Sequence, residues 1–256
     1  MLPARFPLCD GGWLYSIGAM HSTSPDYTIR RVLGAALVFF PCAYILVFIM
    51  HFRHFADFFV FRTRYVQVPP EKTVAALIRA QNHWPLIHDP HMIGYLSLPV
   101  IVLCAFALYL LGREARPLAS AATMMITISG TIYMGGVFGM WTAFFRGIGL
   151  VDPRYTEGAT ATFTAMTTPQ GAFLVTTTLA KLTMLGLAAQ ALVMLGTRVV
   201  PTWAILCVAA GCSLFLAFWD LDNWMLIGML LMLAGFVAMR NQLLKEPAAK
   251  VSAAAA

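Results

Sequence analysis

The run V-L-G-A-A-L-V-F-F-P-C-A-Y-I-L-V-F-I-M at residues 32–50 carries no charge, and Arg30 and Arg31 stand immediately before it. A helix needs about 20 mostly apolar residues to cross the ~30 Å hydrocarbon core of a bilayer, so this run is long enough to span one. Five further stretches read the same way: 92–111, 117–145, 172–195, 199–218 and 221–239. A single charge, Lys181, interrupts the fourth of the six. Pro41 and Pro99 lie inside the first two runs and are expected to kink them, because proline removes a backbone donor and crowds the preceding turn.

Composition points the same way. Of 256 residues, 60% are hydrophobic and 11% are charged, with a mean hydropathy of +0.76; soluble domains carry about 25% charged residues. Too little polar surface is left to cover a core in water. A soluble enzyme, a secreted disulfide scaffold, a nucleic-acid binder and a disordered chain are all excluded. The expected fold is an all-α, polytopic membrane bundle of about six transmembrane helices over residues 32–239. An N-terminal segment, 1–31, precedes it and a disordered tail, 240–256, follows. The lipid bilayer is the expected partner, with a homo-oligomer or other membrane subunits left open.

The net charge of +6 does not imply nucleic acid, since the basic residues are scattered in ones and twos. With both termini in the cytoplasm, that side carries Arg5, Arg30, Arg31, Arg113, Arg116, Arg198, Arg240, Lys245 and Lys250. Arg53, Arg62, Arg64, Lys72, Arg79, Arg146 and Arg154 fall opposite. Most of the latter sit in one long loop, which biases orientation less, so cytoplasmic termini are expected. The five cysteines include no C-x-x-C and imply neither a disulfide framework nor a zinc site. Residues 1–28 are not expected to form a signal peptide, because Pro7, Asp10, Gly11 and Gly12 break any apolar core; Met20 is an alternative start.

The connection between the first two runs is the most distinctive region. H-F-R-H-F-A-D-F-F-V-F-R-T-R-Y, from His51, is expected to extend the first helix into the headgroup layer, with rings buried and arginines on phosphate. After Pro69-Pro70, E-K-T-V-A-A-L-I-R-A-Q-N reads as an amphipathic helix with Val74, Leu77 and Ile78 on one face, lying in the interface as a lid. The threonine-rich segment from Thr160 to Thr168 places Thr160, Thr164 and Thr168 on one face of a re-entrant or surface helix. Gly135 and Gly139 form a G-x-x-x-G that lets helices approach closely, within the molecule rather than across a dimer seam.

Lys181 is the first site candidate, with Thr177 and Thr178 one turn before it. A lysine at a helix centre costs about 2.5–3.5 kcal/mol on insertion scales, so such residues face a bundle interior or a cavity. It would receive an anionic or carbonyl group, or couple to protons; the competing reading is a snorkelling or purely structural lysine. Gln190 points to the opposite side of the same helix. Asp220 and Asp222, in F-W-D-L-D-N-W, could hold a cation or face Lys181; more simply, Asp222 and Asn223 cap a helix while Trp219 and Trp224 mark the interface. The histidines His51, His54, His83, His88 and His91 cluster in the long connection. His51, His54, His88 and His91 are the candidate metal or haem ligands, imidazole being a frequent one, although their spacing fits no specific motif. Ordinary interfacial histidines are the competing reading.

Two stretches carry a resemblance: H-M-I-G-Y-L-S-L-P-V-I-V-L-C-A-F-A-L-Y-L-L and F-W-D-L-D-N-W-M-L-I-G-M-L-L-M-L-A-G. They resemble an uncharacterised family of small bacterial membrane proteins with a domain of unknown function and about six helices. The resemblance covers about a third of the chain and implies a multi-pass protein of the bacterial inner membrane, without implying an activity or a cofactor. No nucleotide-binding glycine loop, zincin motif, catalytic triad spacing or inverted repeat stands out. The leading expectation is a small molecule or ion handled through a polar interior around Lys181, with no catalytic signature in the sequence and the question of an enzymatic activity left open. A metal- or haem-binding redox protein and a non-catalytic accessory subunit are the alternatives.

Overall fold

The structure is a computed structural model, and it describes residues 25–52, 54–63, 68–81, 90–168, 170–219 and 221–245. Among these the chain is all-α. Every apolar run found in the sequence folds as a helix or as a broken pair of helices: α1 Pro25–His51, α2 Pro70–Gln81, α3 Pro90–Leu96, α4 Leu98–Gly112, α5 Pro117–Gly149, α6 Thr156–Thr167, α7 Gly171–Ala180, α8 Leu182–Val193, α9 Thr202–Ala217 and α10 Asp222–Leu243. By length and composition, four helices can cross a membrane: Asp26–His51, Pro117–Gly149, Gly171–Val193 (α7 with α8) and Asp222–Leu243. α4 and α9 are shorter apolar helices. α10 runs on past Met239 to Leu243, so the helix covers the first residues of the expected disordered tail.

The two intrahelical prolines act differently. α1 passes through Pro41 without interruption. At Pro99 the run is broken into α3 and α4, because proline has no N–H to return to the preceding turn. The backbone at Ser97 tightens, its carbonyl accepting from Val100 N at 3.0 Å, and the Ser97 hydroxyl donates to the Gly94 carbonyl at 2.8 Å. The G-x-x-x-G of α5 seats this broken helix: a Cβ at Gly135 would meet Leu98, and one at Gly139 would meet Tyr95.

The main core lies among α1, α4, α8, α9 and α10, around Phe40, Tyr44, Phe236, Met184 and Met229, all essentially without exposure. Tyr44 stands edge-on to Phe40 at 5.0 Å and to Phe138 at 6.1 Å. In lipid, apolar burial between helices brings little hydrophobic gain, so close packing and interhelical hydrogen bonds must hold the bundle. Small residues supply that closeness. A Cβ at Gly211 or Gly228 would run into the backbone of the facing helix, α10 or α9; one at Gly130 or Gly186 would do the same between α5 and α8. The first and last helices also pair, with Gly34 against the Arg240 side chain and Arg30 Nη1 donating to the Leu243 carbonyl at 3.5 Å.

The outer surface is apolar. Val32, Phe39 and Leu46 recur at seven-residue steps on α1, as do Leu118, Met125 and Ile132 on α5, and all six are exposed. Stripes of this kind are rare on soluble monomers and suit contact with acyl chains.

α5, at 33 residues, is about 50 Å long at 1.5 Å per residue and overshoots a ~30 Å hydrocarbon core. Its last turns carry a second, smaller apolar cluster. There α2 packs against both α5 and α6, with Val74, Ile78, Ile148, Ala159 and Phe163 buried together. The Phe163 ring stacks on Phe144 at 5.8 Å and on Phe145 at 6.2 Å. The shared face of Val74, Leu77 and Ile78 is therefore covered by protein, where the sequence suggested a helix lying on lipid. Two of the three threonines expected on one face turn their hydroxyls back onto α6, Thr164 onto the Thr160 carbonyl and Thr168, at the C-cap, onto that of Thr164. In the turn before α6, Arg154 donates to both oxygens of Asp152 at 3.1 and 2.9 Å, which holds the carboxyl below the usual carboxylate range.

Candidate functional site

The polar side chains singled out in the sequence fall into three groups. The first is the Gln190 tie. Gln190 is buried on α8, its Oε1 accepting from Thr127 Oγ1 at 2.9 Å and its Nε2 donating to the Ala105 carbonyl at 2.9 Å. One amide thus links α8 to α5 and to α4. Each end of the amide makes one bond, so Gln190 ties three helices together.

Lys181 is the second. It sits at the break between α7 and α8, where the chain turns through Lys181 N to Thr178 O at 3.2 Å. The side chain is half-buried and its ammonium lies 5.5 Å from the centroid of the Trp219 ring, just past the end of α9. Among the described residues no carboxylate lies within ion-pair distance of Lys181; Asp220 lies outside the described residues. Thr177 turns its hydroxyl back onto the Phe173 carbonyl at 2.8 Å, and Thr178 is exposed. Thr183, two residues on, was not singled out in the sequence. It is fully buried, and its Oγ1 has no hydrogen-bond partner among the described residues. A cation over an indole face retains much of its charge, because the ring quadrupole offers about 0.5–2 kcal/mol and no counter-charge.

The third group closes one end of the bundle. α1 stops at His51, so the aromatic, basic stretch does not prolong the helix; it turns instead through a 3₁₀ segment, Phe55–Phe59. His51 Nδ1 lies 3.0 Å from Asp222 Oδ1, joining the end of α1 to the start of α10, with both side chains about a third exposed. The His91 ring, at the start of α3, is 5.6 Å from that of His51 and stands edge-on to Phe145 at 5.3 Å. Asp222 and Asn223 do not cap α10, whose N-cap is Leu221 without a side-chain bond; Asn223 Nδ2 instead donates to the carbonyls of Asp57 at 2.9 Å and Phe58 at 2.7 Å, and Trp224 Nε1 donates to that of Arg62 at 3.0 Å. These bonds fold the segment after α1 over the start of α10.

His51 and His91 therefore meet, while His54 is exposed and takes part through its backbone N–H, which donates to Asp57 Oδ2 at 2.9 Å. His83 and His88 lie outside the described residues. Among the described residues no three His, Cys, Asp or Glu side chains converge as a metal-ligand group would. The His51–Asp222 bond joins the ends of two helices far apart in the chain, and no local spacing announces it. Compared with known protein families, curated proteins and solved structures, the chain matches none.

Proposed function

We propose that this is a multi-pass membrane protein with six crossings and cytoplasmic termini, and that it takes a small anionic or carbonyl-bearing molecule at Lys181. The crossings would be α1, α3 with α4, α5, α7 with α8, α9 and α10. Cytoplasmic termini are supported by Arg30, Arg31, Arg113, Arg116, Arg198 and Arg240 gathering at one end of the bundle, accompanied there by only Asp26 and Glu114 among the described acidic residues. The supporting observation for binding is the ammonium of Lys181, backed by the Trp219 ring at 5.5 Å and facing no described carboxylate. A lysine inside an apolar segment is costly, and a ligand that brings negative charge offsets that cost.

The test is a thermal-shift screen of the detergent-solubilised protein against small carboxylates, phosphates and ketones. A ligand at about 100 times its Kd stabilises a folded protein by about 2.7 kcal/mol. A hit with wild type should vanish in Lys181→Met, with helical content and elution unchanged. An equal shift in both proteins would defeat the proposal.

A further inference from the structure

We propose that the outer face of the α1–α10 seam binds one two-chain anionic phospholipid, its phosphate between Arg31 and Arg240. The two helices run antiparallel: Arg30 near the start of α1 reaches Leu243, and His51 at its end reaches Asp222. The arginines stand where α1 begins and α10 finishes, in the outermost turns of the apolar spans Asp26–His51 and Asp222–Leu243. That is the level of lipid headgroups.

Three arginines meet there, and one is already spent. Arg30 donates Nε to Asp26 at 2.9 Å and Nη1 to the Leu243 carbonyl at 3.5 Å. Arg240 is half-buried, its stem laid over Gly34 so closely that a Cβ there would stand 3.2 Å from Arg240 Cγ. Its guanidinium has no hydrogen bond or ion pair to a described residue. Arg31, one turn before Gly34, is exposed, with its guanidinium 5.9 Å from the centroid of the Tyr27 ring and no described carboxylate on it. Among the described residues of these two helix ends Asp26 is the one carboxylate, and Arg30 holds it. A guanidinium fixed by its stem and left without a counter-charge suits a phosphate, whose oxygens match its planar fork.

Apolar rows lead away from both arginines. Ala35, Cys42 and Ile49 follow at seven-residue steps on α1, and Val237 and Leu230 precede Arg240 on α10; all five are exposed. At 3.6 residues per turn, Arg31 and its row lie about 60–100° round α1 from Gly34, and the α10 row lies about 60–80° round from Arg240 in the same sense. In antiparallel neighbours, equal rotations from a shared contact open on the same side. Here that side is the one away from Phe40 and Phe236, which meet in the core.

This arrangement selects the occupant. One phosphate on two arginines, with an apolar row below each, fits a single head carrying two acyl chains. A free anion would use neither row, and a fatty acid one. Choline and ethanolamine heads bring a cation of their own, which two unpaired guanidiniums repel; a head with net negative charge does not. The site is independent of Lys181 and of any ligand there.

Native mass spectrometry of the delipidated protein in maltoside, with equal phosphatidylglycerol and phosphatidylcholine of identical chains, tests it. Wild type and Lys181→Met should each carry one phosphatidylglycerol per chain, favoured over phosphatidylcholine by about tenfold or more, as for a charge-assisted contact. Arg240→Gln should remove most of that preference, and Arg31→Gln should lower it about threefold, as for a more exposed pair. Arg113→Gln, which takes an equal charge from the same end of the bundle on another helix, should keep it. Circular dichroism and elution establish that the variants fold; if Arg240→Gln does not, Arg31→Gln, an exposed side chain, decides against Arg113→Gln. Equal binding of the two lipids by wild type would overturn the proposal. So would a loss in Arg113→Gln as large as in the seam variants, the mark of a diffuse field, or displacement of the lipid by millimolar inorganic phosphate, the mark of a site for the free anion.

Discussion

Gln190 and Lys181 lie on one apolar segment, and both break its hydrophobic run, yet their surroundings have little in common. Gln190 is 2% exposed and its amide is bonded at both ends, to Thr127 and to Ala105. Lys181 is half-buried at a break in the helix, with an indole face for company. A buried polar group bonded to neighbouring helices at both ends helps to hold the scaffold together. One left with spare charge is where a ligand gains most, because desolvated charge is costly until something pairs with it. Polarity inside a membrane segment is therefore ambiguous until its partners are known.

The largest way to break the comparison is at the contact that brings the Gln190 tie together. In Gly186→Leu the side chain would collide with Thr127 on α5, and we expect about 3 kcal/mol or more of destabilisation, enough to leave little folded protein on gel filtration. Gln190→Ala should cost about 1–2 kcal/mol, at the upper end for interhelical hydrogen bonds in membranes, read as a lower unfolding midpoint in SDS. Lys181→Met sharpens the contrast, since removing a lysine should leave the midpoint unchanged or raise it, by less than the ~2.5–3.5 kcal/mol of a fully centred one. A midpoint lowered as far as in Gln190→Ala would make Lys181 a scaffold residue too. The smallest effect is expected from Asp222→Asn, which weakens a partly exposed contact with His51 worth about 1 kcal/mol or less. It should show as faster proteolysis within residues 54–63 with the bundle otherwise intact.

Much of the fold was legible because membrane segments announce themselves through length and lack of charge, both local properties. The amphipathic face of α2 was legible too, Val74, Leu77 and Ile78 repeating at helical spacing. What covers that face was not, since Phe144, Phe145 and Phe163 reach it from elsewhere in the chain. Pro41 and Pro99 look alike in sequence, but only Pro99 coincides with a helix break, where Ser97 turns its hydroxyl back onto Gly94. For the candidate site, Lys181 was visible as a lone charge, while its partner Trp219 depends on α9 ending beside it. The His51–Asp222 bond requires the first and last helices to be neighbours, a fact of topology with no local signature. The seat of Arg240 was invisible for the same reason, because Gly34 comes to it from α1.

The pairing of α1 with α10 sets a timetable for synthesis. α1 is synthesised well before α10, and the face it buries against α10 stays uncovered until α10 has been made. Every intermediate on the way carries an open seam, with Gly34 and Phe40 waiting for Arg240 and Phe236. Contacts this distant in sequence form late and slowly, so the nascent protein is expected to remain a substrate for membrane chaperones and quality-control proteases until α10 arrives.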